Sequence, residues 1–410
     1  MKNQSVDIAI LGGGMVGLTL AYQLKERYSD LKIIIIDKEK ELGCHSSGRN
    51  SGVLHAGIYY PPATLKAQVC VQGARRLRAW CESESIQVFS CGKVIAPQAL
   101  ELDNQLEILL ERGKSNGARA QLIDENEFHD LLPHGRTASG RALYSPDTCV
   151  VKPMLVLQCL EKRLRERGVI FNLGCRVSSI FSNSRSLTLN KCSGANHQLF
   201  YGHLFNATGL QSDRVAQAFG LAENYTMLPF KGMYWQLDPK APFSFTTNLY
   251  PVPDLNVPFL GIHITPSPDG TVSLGPTAIP AWGRENYRGL KGVEPNMAAQ
   301  FVGDLASQWL RNAGGFRQYA KEQAFHGFKP LFLKAAQALV PDLRSEHLIP
   351  SQKVGIRAQL YDRSSGAMVQ DFCLEHGNSS THILNAISPA FTASFALADL
   401  IIDSSKFNTC

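Results

Sequence analysis

Gly12, Gly14 and Gly17 are spaced G-x-G-x-x-G near the start of the chain. That spacing suits one piece of chemistry. A pyrophosphate needs backbone N–H donors and close approach of the main chain, and glycine removes the Cβ that would stand in the way. Ahead of the glycines, Val6, Ile8, Ala9, Ile10 and Leu11 form a short apolar run of the kind buried in a parallel sheet. Behind them, Met15 to Arg27 carries Leu18, Ala21, Tyr22 and Leu24 at helical spacing, so Met15 and Val16 would offer first-turn N–H groups and the positive dipole end. A second apolar run, Ile33 to Ile36, ends on Asp37, with Lys38 next to it. Asp37 lies about twenty residues past Gly17, where a carboxylate accepts hydrogen bonds from ribose hydroxyls. Strand, glycine turn, helix, strand and acid together read as a dinucleotide site.

The next stretch, Glu41 to Tyr60, is rich in Gly, Ser, Asn and His and lacks regular periodicity. A loop of this length calls for a ligand. In a flavin enzyme, the loop after the second strand runs past the pyrophosphate towards the isoalloxazine ring. Ser46, Ser47, Arg49, Asn50 and Ser51 suit that polar path. His55 is the one group in it whose ordinary pKa is near neutral, which allows a catalytic base, a flavin contact or a structural histidine.

Composition bounds the rest. With 410 residues, two lobes or a domain with an insertion fit better than one small core. Hydrophobic residues at 44% and charged residues at 19% are ordinary globular values, and a net charge of +6 is mild. Nothing marks a nucleic-acid binder, while contact with an anionic membrane surface stays open. The ten cysteines form no C-x-x-C pair and no His cluster accompanies them, so no metal site is expected and the thiols read as reduced, as in the cytoplasm. The first strand follows Met1 to Ser5 directly, which leaves no room for a leader peptide, and no run is long enough to span a membrane. Localisation is therefore expected to be cytoplasmic, with peripheral attachment to the inner face of the cell membrane as the membrane alternative.

Further elements follow from pattern. Helices are expected over Leu65 to Glu84, Leu100 to Asn116, Lys152 to Arg167, Glu294 to Leu310, Lys329 to Val340 and Phe391 to Ile402. Strands are expected over Gln87 to Pro97, Val169 to Leu173, Met233 to Leu237, Leu260 to Ile264, Val272 to Gly275 and His382 to Ile387. Gly140 to Val151 reads as a hairpin or strand pair, and Val177 to Phe181 with Ser186 to Asn190 as an antiparallel pair. His203 to Gly209, which contains LFNATG, is a buried strand ending in Ala-Thr-Gly, which brings backbone at Thr208 and Gly209 close to a ligand. Ser388-Pro389-Ala390 is a small-residue turn before an apolar helix, giving another helix N-terminus for a ligand.

Three separated pieces thus converge on one nucleotide: Gly12 to Gly17, Ala207 to Gly209, and the helix after Ser388. The expected architecture is α/β with an α+β second lobe: a Rossmann-like FAD-binding domain with an interrupted chain (1–85, 150–225 and 350–410), plus an antiparallel-sheet substrate domain (86–149 and 226–349).

Longer blocks carry a family resemblance: CHSSGRNSGVLHAGIYY, YPVPDLNVPFLGIHIT, GPTAI, GIRAQ and HILNAISPAFTAS. The chain resembles the FAD-dependent L-2-hydroxyglutarate dehydrogenases (oxidases) of the D-amino-acid oxidase and glycine oxidase clan, from about Asp7 to Ile402. It departs at Thr277, where the family usually has Asn, at Ile387 and Phe391 before the last helix, and at Lys231-Gly232-Met233-Tyr234, where Arg-Gly-Glu-Tyr is common. The resemblance implies oxidation of L-2-hydroxyglutarate, a small dicarboxylic 2-hydroxy acid, to 2-oxoglutarate. FAD would accept the hydride, and electrons would pass to a quinone, an electron-transfer protein or oxygen. It makes Arg357 the cation for the carboxylate next to C2. The base would be His55, with His263 as the rival, and Lys231, Tyr60 and Tyr250 would be candidates for the distal carboxylate. Val177 joins the residues expected around the cofactor. Another 2-hydroxy or amino acid as substrate, or a non-catalytic flavin-binding protein, are the alternatives.

Overall fold

Strand Gln4–Leu11 is the axis of the first of two units into which the chain divides. Its buried residues leave no polar side chain to compete for the interior. It pairs in parallel with Ile33–Ile36 on one side and Asn196–Asn206 on the other. Ile170–Asn172 and Ser380–Ile383 extend the parallel sheet outwards, and Leu374–His376 adds an antiparallel edge. Cys175–Phe181 and Ser186–Lys191 form the antiparallel pair expected from their sequence, and the second of them pairs with Asn196–Asn206. Helix Met15–Arg27 packs against Pro153–Glu166 and Ala390–Ser404, with Tyr22 and Phe395 edge to face at 5.6 Å.

This computed structural model describes residues 4–191, 196–253, 255, 260–312, 317, 320 and 326–407. Cys192, Cys410 and much of the 254–259 stretch lie outside the described residues. The eight described cysteines all carry free thiols. The first unit is Met1–Asn50, Pro153–Leu228 and Ala358–Cys410, and the second is Ser51–Lys152 and Pro229–Arg357. Residues 51–85 therefore fall in the second unit, whereas the sequence reading groups them with the nucleotide domain. Their helix, Leu65–Ser83, carries its buried face (Val69, Cys70, Leu77, Trp80, Cys81) within that second unit.

The second unit is built on a sheet in the order Tyr225–Leu237, Val272–Gly275, His263–Pro266, Asn248–Pro251, Lys93–Ala96, Arg141–Ser145 and Gln121–Asp124. Within this run only Asn248–Pro251 and Lys93–Ala96 pair in parallel. The strand expected over Gln87 to Pro97 is shorter, Lys93–Ala96, because Gly92 turns with φ of 64° just before it. The expected hairpin over Gly140 to Val151 is not one. Arg141–Ser145 pairs with Lys93–Ala96 and Gln121–Asp124, and Cys149–Val150 pairs with Val53–Leu54. Three residues, Pro146 to Thr148, separate two strands that belong to different sheets.

Period-two alternation sorts this sheet into two faces. Val94, Ala96, Leu249, Ile264 and Leu274 enter one core with Phe332 and Ala336 of helix Lys329–Gln337. Ile95, Leu143, Tyr250 and Val252 enter another, with Ile58, Tyr59, Leu106 and Leu109. Lys93, two residues before Ile95, lies on this second face, as does His263, whose ring lies against Tyr250.

Candidate active site

In the first unit, the glycine turn leaves the carboxyl end of strand Gln4–Leu11. An added Cβ at Gly12, which has φ of +101°, would lie 2.4 Å from the Ala207 carbonyl oxygen. One at Gly17 would lie 2.0 Å from the Gly12 carbonyl oxygen. Both contacts are with backbone that cannot step aside, so only glycine fits. Gly14 gives helix Met15–Arg27 no side-chain cap. The Met15 N–H donates to Ser47 Oγ at 2.9 Å. Ser47 thus occupies one first-turn donor, and the positive end of the helix dipole has the sign that a pyrophosphate requires.

Asp37 is held in place as the second strand ends. Its carboxylate accepts from the Gly13 N–H at 2.7 Å and from the Glu39 N–H at 2.9 Å. The glycine turn is thereby tied to the Asp37 carboxylate. Lys38 is drawn into a cluster with Glu39 and with His45 Nε2, 2.9 Å away. Arg49 Nε donates to the Cys44 carbonyl at 2.6 Å, and Asn50 Nδ2 to the carbonyls of Ser46 and Ser47 at 3.1 and 2.7 Å. The loop is thus folded on itself through the very residues singled out for a polar path. Ser51 begins the second unit.

Asn206 holds the Ala207–Gly209 turn. It is fully buried, accepts from the Thr208 hydroxyl at 2.6 Å and donates to the Ser212 carbonyl at 2.8 Å. Sequence reading missed it, although a buried Asn directly before Ala-Thr-Gly is a recognisable signal of a fixed turn. Val177 pairs with Leu189 and packs against the core that contains Cys175, Leu187 and Leu189. Ser388 and Pro389 precede helix Ala390–Ser404, whose N-terminus has no side-chain cap. Glycines that admit only backbone, an uncapped helix start and an anchored acid match the donor set of a dinucleotide, so these residues fit FAD.

In the second unit, His55, Lys93, Tyr250 and His263 are all buried. Tyr250 and His263 stack with ring centroids 3.8 Å apart and an interplanar angle of 15°. His263 Nδ1 lies 2.9 Å from the Gly261 carbonyl, so Nδ1–H donates and Nε2 is left as an acceptor. Burial pushes the His263 pKa down to about 3, helped by the charges of Lys93, Arg357 and Lys353. Burial likewise holds His55 well below its ordinary value, with Lys93, His263 and Arg357 acting in the same direction. The expectation of a near-neutral His55 is thus corrected: its pKa is held well below the ordinary value, because it is buried and lies in the field of basic side chains.

Lys93 is the residue that sequence reading overlooked. Its Nζ stands 4.5 Å from the Tyr59 ring centroid and 5.2 Å from that of Tyr250. Burial lowers its pKa from 10.5 to about 7. A lysine opening an otherwise apolar strand, KVIA, is the available signal, since lysine is almost never buried without cause. Lys353 is a lesser case: its Nζ lies 5.1 Å from the Tyr234 ring centroid, and burial lowers its pKa to about 8. Arg357 shares this field, since its charge acts on His55, His263 and Tyr234. Lys231 is committed elsewhere: its ammonium donates to Asn286 Oδ1 at 3.0 Å. Thr277, one of the departures from the family pattern, bonds the same strand: its hydroxyl donates to the Lys231 carbonyl at 3.2 Å and accepts from the Met233 N–H at 3.0 Å. The Tyr60 ring lies 5.7 Å from Lys66 Nζ and packs against the core of Ile58 and Leu109.

The sequence pattern of the family described as FAD dependent oxidoreductase matches residues 7–404. The chain belongs to that FAD dependent oxidoreductase family. Its relatives include a mitochondrial L-2-hydroxyglutarate dehydrogenase of Caenorhabditis elegans, 34% identical over 96% of this chain and 92% of the relative. The L-2-hydroxyglutarate dehydrogenase of Indibacter alkaliphilus is 31% identical over 97% of this chain and 98% of its own length. The human mitochondrial L-2-hydroxyglutarate dehydrogenase is 33% identical over 98% and 89%. Among solved structures, the FAD-bound L-alpha-glycerophosphate oxidase of Mycoplasma pneumoniae aligns with a TM-score of 0.73 at 19% identity, covering 97% of this chain and 94% of that one. Glycine oxidase from Geobacillus kaustophilus aligns at 0.72 and 18%, covering 98% and 94%. These two establish the fold, and family membership makes this FAD dependent oxidoreductase an enzyme with FAD as its cofactor.

Proposed function

We propose that the protein oxidises L-2-hydroxyglutarate at C2 to 2-oxoglutarate. One observation carries the reading: the second unit gathers two neutral histidines among three basic side chains, Lys93, Lys353 and Arg357. That field suits an organic anion with a hydroxyl proton to lose. It disfavours an amino-acid substrate, whose ammonium would meet like charge. The names of the relatives point to the same substrate.

FAD supplies the two-electron acceptor for the C2 hydride. Gly12, Gly14, Met15, Val16, Gly17, Asp37, Thr208, Gly209 and Ala390 would hold it. Arg357 takes the carboxylate next to C2, for which a guanidinium fork is the matching donor. His55 accepts the hydroxyl proton on its imidazole. Its low pKa in the free protein keeps it in the accepting form, and the arriving negative charge raises its proton affinity towards the working range. His263, whose Nε2 is the free acceptor, is the alternative base.

For the electrons we propose a lipid-soluble quinone taken from a membrane surface. Helix Pro295–Arg311 exposes Val302, Trp309 and Leu310, while Leu290 and Phe328 are also exposed. No helix among the described residues is long and apolar enough to cross a membrane. Recovery of the protein only in the soluble fraction at low salt counts against this acceptor.

The deciding experiment is anaerobic mixing of the yellow protein with a panel of 2-hydroxy acids, amino acids and glycerol phosphate. Bleaching by L-2-hydroxyglutarate at the lowest concentration is expected. Bleaching by another member alone transfers the activity to that compound, and a flavin that no compound reduces points to a binding protein without turnover.

A further inference from the structure

Lys93 presents a problem that the roles assigned above leave unsolved. Its side chain is completely buried, and its Nζ has no hydrogen-bond partner among the described residues. A buried ammonium ordinarily has an anionic partner. The groups that favour its charge are the thiols of Cys70, on helix Leu65–Ser83, and of Cys91. Burial pushes those thiols up to about 12 and about 11, so both are neutral and offer no counter-charge. Tyr59 and Tyr250 present π faces, and burial raises both phenols well above their ordinary range, so neither is a phenolate. His55 and His263 also act on it, and both are neutral imidazoles that supply no counter-charge. The sheet has placed the donors of Lys93 in the field of the two candidate bases with no hydrogen bond made and no anion beside them among the described residues.

We propose that Lys93 is the specificity-determining cation for the second carboxylate of the substrate, held between Tyr59 and Tyr250 as a donor that only a dicarboxylic acid satisfies. This rests on the reading of the substrate as a 2-hydroxy dicarboxylic acid. It also explains why Lys231, already bonded to Asn286, is not required for that task. Binding the second carboxylate draws a proton onto Lys93, since the free amine is about half-protonated near pH 7 and mostly neutral at pH 8. A monocarboxylate leaves the amine as it was.

The test uses the FAD-loaded protein with glutarate and butyrate, neither of which has a hydroxyl to oxidise. Binding is followed by the flavin absorbance change, and by calorimetry at pH 8 in two buffers of different ionisation enthalpy. Wild type is expected to take up about one proton with glutarate and none with butyrate. Lys93→Met is expected to weaken glutarate roughly thirtyfold, abolish the uptake and leave butyrate within about threefold. Lys93→Arg keeps a cation that cannot be deprotonated, so it should bind glutarate within about tenfold of wild type without uptake. Equal weakening of both ligands in Lys93→Met, or proton uptake that survives there, overturns the proposal. The two readings separate cleanly. Wild-type protein bleached by L-2-hydroxyglutarate, with glutarate binding indifferent to Lys93, removes Lys93 alone. Protein that binds glutarate with uptake but is not bleached removes the activity alone.

Discussion

Replacing Lys93 by methionine should make the second unit more stable, and the gain should depend on pH. The unfolded chain binds the lysine proton with a pKa of 10.5, and the folded one with a pKa of about 7. Between these values the unfolded state holds more protons, so wild-type stability rises with pH across that window. Below about pH 7 the cost is complete, at roughly 5 kcal/mol as an upper bound from 1.36 kcal/mol per pKa unit. At pH 9.5 only about 1 kcal/mol remains. Methionine fills a similar volume without a charge, so Lys93→Met should gain a few kcal/mol at pH 6.5 and about 1 kcal/mol at pH 9.5. All four tryptophans, Trp80, Trp235, Trp282 and Trp309, belong to the second unit. Urea unfolding followed by tryptophan fluorescence at the two pH values therefore reads the relevant unit directly. A variant less stable than wild type at pH 6.5, or a difference that is flat with pH, would refute the picture of a buried cation without a partner. A gain would also mean that the native chain keeps a destabilising residue at this position, as functional sites do.

Three other outcomes are expected. Gly17→Ala places a methyl 2.0 Å from a backbone oxygen and should abolish FAD retention, whereas Gly14→Ala meets the movable Ser47 hydroxyl at 2.9 Å and should lose less. The ratio of flavin to protein absorbance after gel filtration measures both. Arg357→Ala should raise KM for L-2-hydroxyglutarate by about a hundredfold while FAD stays bound, from the roughly 3 kcal/mol of a charge-assisted pair; unchanged steady-state kinetics would take Arg357 out of the site. His55→Gln should lower kcat at saturating substrate by at least about a hundredfold and remove the acidic limb of the kcat–pH profile. A limb that persists in His55→Gln but vanishes in His263→Gln assigns the base to His263 instead.

The nucleotide unit was legible because its signals are local. Gly12 to Asp37 is one continuous unit whose glycines, helix start and acid are each needed for a stated steric or electrostatic reason, and the parallel pairing of Ile33–Ile36 with Gln4–Leu11 follows from it. The substrate unit was legible in its strands but not in their pairing. Arg141–Ser145 and Cys149–Val150 are close enough for a hairpin, yet tertiary packing sends them to different sheets. Lys93 was missed because one lysine in a strand reads as a solvated edge. Its meaning depends on Asn248–Pro251 lying alongside, more than 150 residues later, which no local pattern records. The neutral state of His55 was also invisible in sequence, because the burial that enforces it, helped by Lys93 and Arg357, comes from parts of the chain remote from it.

Helix Ala390–Ser404 has a consequence for biosynthesis. It packs on Met15–Arg27 through Tyr22 and Phe395, and Gln23 donates to Asp399 across 376 positions at 2.8 Å. Until residues 390–404 have emerged from the ribosome, the flank of the first helix that they cover stays exposed. The parallel strand Ser380–Ile383 is likewise made long after Gln4–Leu11, so the yellow colour should emerge only once both late segments have been synthesised.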